Sequence, residues 1–244
     1  MANLNTSLNQ KNKIPHSRDV GGPIFHCEDV SVQFDEIRAL KNIQLTIERG
    51  EIIFVTGASG AGKTTLLKLL SGIQEPTSGR VIRPNFLSGS GTSKKNLYIS
   101  NVFQDLRLMG KYTCAENLMF AYDSNIYKDK NEFIQDMNEL TRILGIKDRL
   151  NLPINKANGG LQQKVAIIRS LLTRPDILIA DEPTSSLDSD NTRRLFDVFN
   201  LYNAKRGLTV IWATHNKELI KSFTGRIIHL ENGRLVYSGH ACFI

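Results

Sequence analysis

The chain has 244 residues, of which 41 % are hydrophobic and 23 % charged, enough length and apolar content to bury a full core and to exclude disorder as the default. Its net charge of +7 comes from scattered Lys and Arg with no dense basic run, so no direct nucleic-acid partner is expected. Three widely spaced cysteines, Cys27, Cys114 and Cys242, include no C-x-x-C pair, which points to a reducing compartment and away from a zinc site.

Residues 1–22, rich in Asn, Lys and Ser and closing on Gly21-Gly22, read as a flexible tail before one folded domain over 23–240. Met1 to Gln10 lacks the apolar stretch of a secretory signal, and no run approaches the roughly 20 apolar residues that cross a bilayer. A cytoplasmic chain that can dock on a membrane partner is therefore expected. Ile24–Val32 and Ile43–Ile47 alternate apolar and polar residues, as half-buried antiparallel strands do.

Ile52–Val55 is a short β-branched run that reads as a buried strand, and the loop after it organises the chain. Gly57-Ala58-Ser59-Gly60-Ala61-Gly62-Lys63-Thr64 fits the phosphate-loop pattern G-x-x-x-x-G-K-[ST], and Thr65–Leu70 continues as a helix. Small residues let such a loop wrap a phosphate with its N–H groups pointing inward, and the helix N-terminus adds partial positive charge there. Lys63 is placed to bridge the β- and γ-phosphates and Thr64 to offer its hydroxyl to Mg²⁺. Phe34, just upstream, is a candidate for stacking on an adenine ring, with a plain strand-end aromatic as the alternative.

Glu75–Gly79 reads as a turn, Arg80–Arg83 as a strand and Ser88–Lys95 as a surface loop. Leu97–Phe103 returns to strand and delivers Gln104 at its end. Phe133, Met137, Leu140 and Leu144 recur at helical spacing, so residues 113–150 read as mainly helical, within a helical subdomain of about 106–172. Gly159-Gly160 precedes a helix over Leu161–Thr173, stopped by Pro175. Asp176–Ala180 is a continuous apolar strand that runs straight into Asp181-Glu182. A helix over Asn191–Arg206 and a strand over Leu208–Ala213 lead to Thr214-His215. After a short helix, Arg226–Tyr237 is a strand pair turned at Glu231-Asn232-Gly233. Strands alternating with helices imply a parallel sheet that binds its ligand at the carboxyl edge.

Phosphoryl transfer needs a metal, a polarised water and charge compensation. Asp181, ending an apolar strand, is the expected carboxylate for Mg²⁺, and Glu182 the general base toward the attacking water.

With these motifs in order, the chain resembles the ATP-binding cassette (ABC) ATPases over about residues 24–238. The resemblance rests on Gly57–Thr64, Gln104 in Val-Phe-Gln-Asp, Gly159-Gly160-Leu161-Gln162-Gln163, Ile179-Ala180-Asp181-Glu182-Pro183-Thr184, Ser186-Leu187-Asp188 and His215. It implies an α/β P-loop NTPase fold of the ABC type, a RecA-like core with an antiparallel β subdomain and a helical subdomain, working with ATP and Mg²⁺. It also implies that Gln104 touches Mg²⁺ and the water, that His215 holds the γ-phosphate, and that Asp188 lies in the loop linking two active sites. Asn158, Gly159, Gly160 and Gln162 would act in trans on the nucleotide of a second copy in an ATP-dependent homodimer. Here the sequence departs from the usual Leu-Ser-Gly-Gly-Gln: Ala157, Asn158 and Leu161 replace Leu, Ser and Gln, while the two glycines keep a backbone cradle.

Within the family, Ser59–Leu70 and Val102–Met109 resemble the cell-division branch of the FtsE type, with the LolD and MacB branches sharing most features. That likeness implies a subunit at the inner membrane, coupling dimerisation to an FtsX-like integral membrane permease held near Gln104–Met109. Lipoprotein release or efflux, and a nucleotide-gated scaffold with little hydrolysis, are the alternatives. Ribosome- or DNA-directed cassettes fit less well, because neither paired cassettes nor a long coiled-coil insertion is present.

Overall fold

The computed structural model describes residues 23–84 and 97–240, with only the backbone of 217–219 described. The expected tail over 1–22, the loop over Ser88–Lys95 and Cys242 lie outside the described residues. Alternating burial forms the first pair of strands: β1 (Phe25–Phe34) and β2 (Ile37–Ile47) run antiparallel, joined at Asp35-Glu36. Both are longer than expected, because most of Phe34–Leu40 continues the ladder, down to the Phe34–Ile37 pair beside the turn. Asp35 takes the left-handed backbone (φ 48°) that lets so short a turn close.

After β3 (Ile52–Thr56) comes helix α1 (Lys63–Leu70), then β4 (Ser78–Ile82), which pairs antiparallel with β1 to complete a three-stranded sheet ordered β2-β1-β4. Ser78 and Gly79, expected in a turn, are the first residues of β4. The chain continues through β5 (Ile99–Val102), α2 (Cys114–Met119), α3 (Lys130–Ile143), two short 3-10 turns and α4 (Gly159–Leu172). It finishes with β6 (Ile177–Asp181), α5 (Ser189–Arg206), β7 (Thr209–Ala213), α6 (Lys217–Ser222) and the hairpin β8 (Arg226–Glu231) to β9 (Arg234–His240). Several helix ends have a local cause. Thr113 and Glu116 form a capping box at α2, Asp129 caps α3, and Gly207 (φ 68°) closes α5 in the left-handed region.

The larger sheet is ordered β5-β6-β7-β3-β8-β9, parallel except for β9. Its central strands are apolar except at their end residues because both faces are covered, and successive side chains go to different cores. Phe54, Leu178, Ala180, Val210 and Trp212 face the cluster built by α2, α3, α4 and α5. Ile53, Val55, Ile177, Ile179, Ile211 and Ala213 face α1 and the three-stranded sheet. Full burial of each large apolar side chain stabilises the fold by about 1.5–3 kcal/mol. Phe133, Met137, Leu140 and Leu144 are buried in the first cluster, in agreement with packing rather than ligand binding.

Candidate active site

Four of the parallel strands end on one edge of the larger sheet, and each hands over one of the motif segments. Val55, Ala213 and Asp181 are level across β3, β7 and β6, and Val102 pairs with Ala180 one step back. The phosphate loop, Gln104, Asp181-Glu182 and Thr214-His215 therefore emerge side by side. Such an edge is where open α/β sheets bind ligands.

The loop from Gly57 to Gly62 needs glycine at its two ends for backbone reasons. Gly57 (φ 146°) and Gly62 (φ 102°) occupy conformations that L side chains rarely adopt. A Cβ on Gly57 would collide with the Leu230 carbonyl, and one on Gly62 would come within 2.6 Å of the Ala39 carbonyl oxygen. The close approach arises because the β8–β9 turn braces the loop: Gly233 N–H donates to the Ala61 carbonyl at 3.1 Å, and Lys41 N–H to the Gly233 carbonyl at 2.7 Å. Lys63, 8 % exposed, donates from Nζ to the Gly57 and Ala58 carbonyls at 2.8 and 3.0 Å. Its ammonium is thus already fixed at the mouth of the loop, beside the α1 N-terminus, where a polyphosphate would neutralise it.

Thr64 donates its hydroxyl to Asp181 Oδ2 at 2.6 Å, so the two residues expected to hold Mg²⁺ meet. Hydroxyl and carboxylate oxygens are the hard donors that Mg²⁺ prefers, with phosphate oxygens and water completing its shell. Next to them, Glu182 Oε1 and His215 Nδ1 are 2.8 Å apart, the glutamate mostly buried and the imidazole largely exposed. Glu182 has a left-handed backbone (φ 51°), uncommon away from glycine, and its N–H is donated to the Ala213 carbonyl at 3.0 Å.

Ser59, Gly60, Gly62, Lys63, Thr64, Thr65, Gln104, Asp181, Glu182 and His215 line one cleft. Gly57, Ala58 and Ala61 line the cavity adjoining it. Phe34 is half exposed at the end of β1 and is not in the cleft wall, although its neighbour Ile37 is. Asn158, Gly159, Gly160, Gln162 and Asp188 also stand outside this cleft.

Those five residues gather elsewhere. Asn158 is the N-cap of α4, its Oδ1 accepting the Leu161 N–H at 2.9 Å, and the two glycines form the helix's first turn instead of preceding it. Gln162 donates to the Ile154 and Ala157 carbonyls at 3.1 and 3.0 Å. Asp188 caps α5, and the hydrogen bonds it accepts from the Asn191 backbone and side chain hold its carboxyl below the usual range. Two features had been given no role at the site. Ala39 and the hairpin residues Asn232 and Gly233 line the cleft, and Gln163, the last residue of the Gly159–Gln163 motif, is buried behind it, bonded to the turn that carries Glu182.

A family profile described as ABC transporter matches residues 40–185, more than half of the chain. The methionine import ATP-binding protein MetN of Bacillus subtilis is 35 % identical over 224 residues, which cover 88 % of this chain and 65 % of the relative. The chain thus spans just under two thirds of that relative's length. The cell division ATP-binding protein FtsE of Mycobacterium tuberculosis is 37 % identical over 202 residues, covering 81 % of this chain and 87 % of its own. Among solved structures, a dimeric post-hydrolysis state of an ATP-binding cassette bound to ADP and Pi superposes with a TM-score of 0.73. That pair is 28 % identical, and the match covers 90 % of this chain and 100 % of the other.

Proposed function

Since the chain belongs to the ABC transporter family, we propose that it is the ATP-binding and ATP-hydrolysing subunit of a membrane complex. The observation that carries this reading is the convergence of Lys63, the Thr64–Asp181 contact at 2.6 Å and the Glu182–His215 contact at 2.8 Å on one sheet edge. The phosphate loop binds the triphosphate through its N–H groups and Lys63. Thr64, Asp181 and Gln104 would hold Mg²⁺, which when bound would supply charge compensation on the phosphates. Glu182 takes a proton from water as its oxygen bonds to the γ-phosphorus. The bond from that phosphorus to the bridging oxygen breaks, its electron pair leaves with ADP, and the proton ends on phosphate or solvent. His215, in contact with Glu182, orients the water and γ-phosphate. Phe34, half exposed outside the cleft wall and paired with the cleft residue Ile37, would stack on the base.

The same reading makes Asn158, Gly159, Gly160 and Asp188 the surface that a second copy closes upon when ATP is bound, with Gln162 holding the turn that precedes α4. A membrane partner docks beside Gln104–Met109, where Met109, Tyr112 and Phe120 leave apolar surface exposed. No helix among the described residues is long and apolar enough to cross a membrane, which suits a subunit attached through a partner. The cell-division output, with an FtsX-like partner at the inner membrane, is supported by the 37 % identity to the mycobacterial division ATPase. Solute import is the second reading, favoured by the 35 % identity to the methionine-import ATPase over a longer stretch.

Glu182→Gln tests the chemistry: ATP binding is retained, turnover falls strongly and a nucleotide-bound dimer accumulates in gel filtration. Turnover at the parent rate would remove Glu182 from the base role. Affinity purification from membranes tests the output. An FtsX-like protein in the eluate supports division, and an import permease replaces that reading while leaving the ATPase in place.

A further inference from the structure

Glu182 is gripped from both sides of its peptide. Its N–H is tied to β7 through the Ala213 carbonyl at 3.0 Å. Its own carbonyl accepts two hydrogen bonds, from Ser185 N–H at 3.1 Å and from the Gln163 side-chain amide at 2.9 Å. Gln163 is 5 % exposed and sits one turn into α4. Its other end is also occupied: Oε1 accepts the Ser186 N–H at 3.2 Å and lies 3.5 Å from the Ser185 hydroxyl. One buried amide therefore clamps both ends of the turn 182–186. Around it the fit is tight, since a Cβ on Gly160 would come within 2.7 Å of the Ser186 carbonyl oxygen. The turn needs such a clamp. Glu182 has a left-handed backbone with no glycine to make it cheap, so the conformation persists only if its surroundings impose it.

We propose that Gln163 is a positioning residue for hydrolysis: it holds the Glu182 peptide so that the carboxylate points into the cleft at His215. The inference rests on the reading of Glu182 as general base. An amide is suited to the task because it satisfies a carbonyl and an N–H at once without bringing a charge into a buried place. Releasing it lets the turn relax, and a base displaced by about 1 Å can lose roughly 10²-fold in rate.

The test uses the full chain. Gln163→Met keeps the length and apolar bulk of the side chain and removes both hydrogen bonds. Gln163→Glu keeps the acceptor for Ser186 N–H and loses the donor to the Glu182 carbonyl. The expected result for Gln163→Met is a kcat lower by about 10- to 100-fold with the KM for ATP within about threefold of the parent, and Gln163→Glu should be impaired in the same way. A Glu182→Gln/Gln163→Met double variant, followed in long single-turnover runs, should be no slower than Glu182→Gln alone.

If Gln163→Met turns over at the parent rate, or if its defect multiplies with that of Glu182→Gln, the positioning role is overturned. If Gln163→Met does not fold, Gln163→Glu carries the same comparisons. Should Glu182→Gln itself turn over normally, the base reading has failed. A slow Glu182→Gln beside a fast Gln163→Met would instead overturn only the inference about Gln163.

Discussion

Replacing Arg174 with alanine should loosen the helical part of the molecule from the sheet that carries the site, by an amount the structure lets us work out. Arg174 sits between α4 and β6. Its Nε and Nη2 donate to Asp136 Oδ2 at 3.1 and 2.9 Å, and Nη2 also donates to Glu132 Oε1 at 2.7 Å, both carboxylates belonging to α3. The guanidinium lies 4.0 Å from the centre of the Tyr127 ring, whose hydroxyl donates to the Leu172 carbonyl at 2.6 Å. Hydrogen bonds to a charged, half-buried carboxylate contribute about 1.5–3 kcal/mol, and a cation–π contact about 0.5–2 kcal/mol. Asp136 keeps Arg206 at 3.5 Å, so it is not left unpaired and the loss falls toward the lower part of that sum. We expect about 2–3 kcal/mol, read as a lower urea midpoint at unchanged slope. For a chain of this size that corresponds to a melting temperature lower by roughly 4–12 °C. Arg174→Lys, which keeps the charge but not the fork, should lie between the two.

The same cluster has a pH signature with a defined sign. The hydrogen bond from Arg174, then that from the Lys128 N–H, holds the Glu132 carboxyl below its ordinary value of 4.5. A carboxylate whose folded value is depressed contributes stability that is present above its ordinary value and is lost as pH falls through the folded one. The gap between parent and Arg174→Ala should therefore be widest near neutrality and narrow on acidification. A melting temperature within about 1 °C of the parent, or a gap that widens in acid, would refute the reasoning.

Gly160→Ala places a Cβ at 2.7 Å from the Ser186 carbonyl oxygen and should destabilise by about 1–3 kcal/mol with slower turnover. Gly159→Ala meets the rotatable Ser186 hydroxyl at 3.2 Å and the Ser186 Cβ at an ordinary 3.5 Å and should lose less, so equal urea midpoints for the two variants would contradict that difference. Thr64→Val keeps the shape but removes the hydroxyl given to Asp181, and should reduce the gain in ATP affinity on adding Mg²⁺ by about tenfold. Titration calorimetry with Mg²⁺ and with a chelator measures that gain, and a gain equal to the parent's would exclude Thr64 from the metal site.

Much of the cleft was legible because each of its parts is written locally. A phosphate loop, an acidic pair and a histidine each come directly after a short apolar strand, and parallel pairing brings the ends of such strands to one edge. The misread boundaries have tertiary or backbone causes. Phe34–Leu40 carries no clear alternation, yet the ladder with β2 continues through it to a turn made possible by the left-handed Asp35. Ser78-Gly79 reads as turn chemistry, but β1 supplies the pairing that makes it strand.

The segment Ala157–Gln163 shows why a residue type can be right while its reason stays hidden. Asn158 in place of serine looks like a departure, but both are good helix N-caps, and the amide oxygen accepts the Leu161 N–H in that role. Leu161, which removes a polar group from the usual pattern, packs on the edge of the helical core. Gly159 and Gly160 read as a cradle for a partner's nucleotide, yet Ser186 of the same chain already forbids a bulky side chain at Gly160. Gln163 is part of a recognisable motif, but nothing local gives its role, since its partners are 19 and 23 residues further along the chain. What joins α4 to the turn after Glu182 is therefore a set of contacts between segments that are separate in sequence. The residues of the cleft can be picked out from motifs, whereas the contacts that hold the turn after Glu182 become visible only when those segments meet.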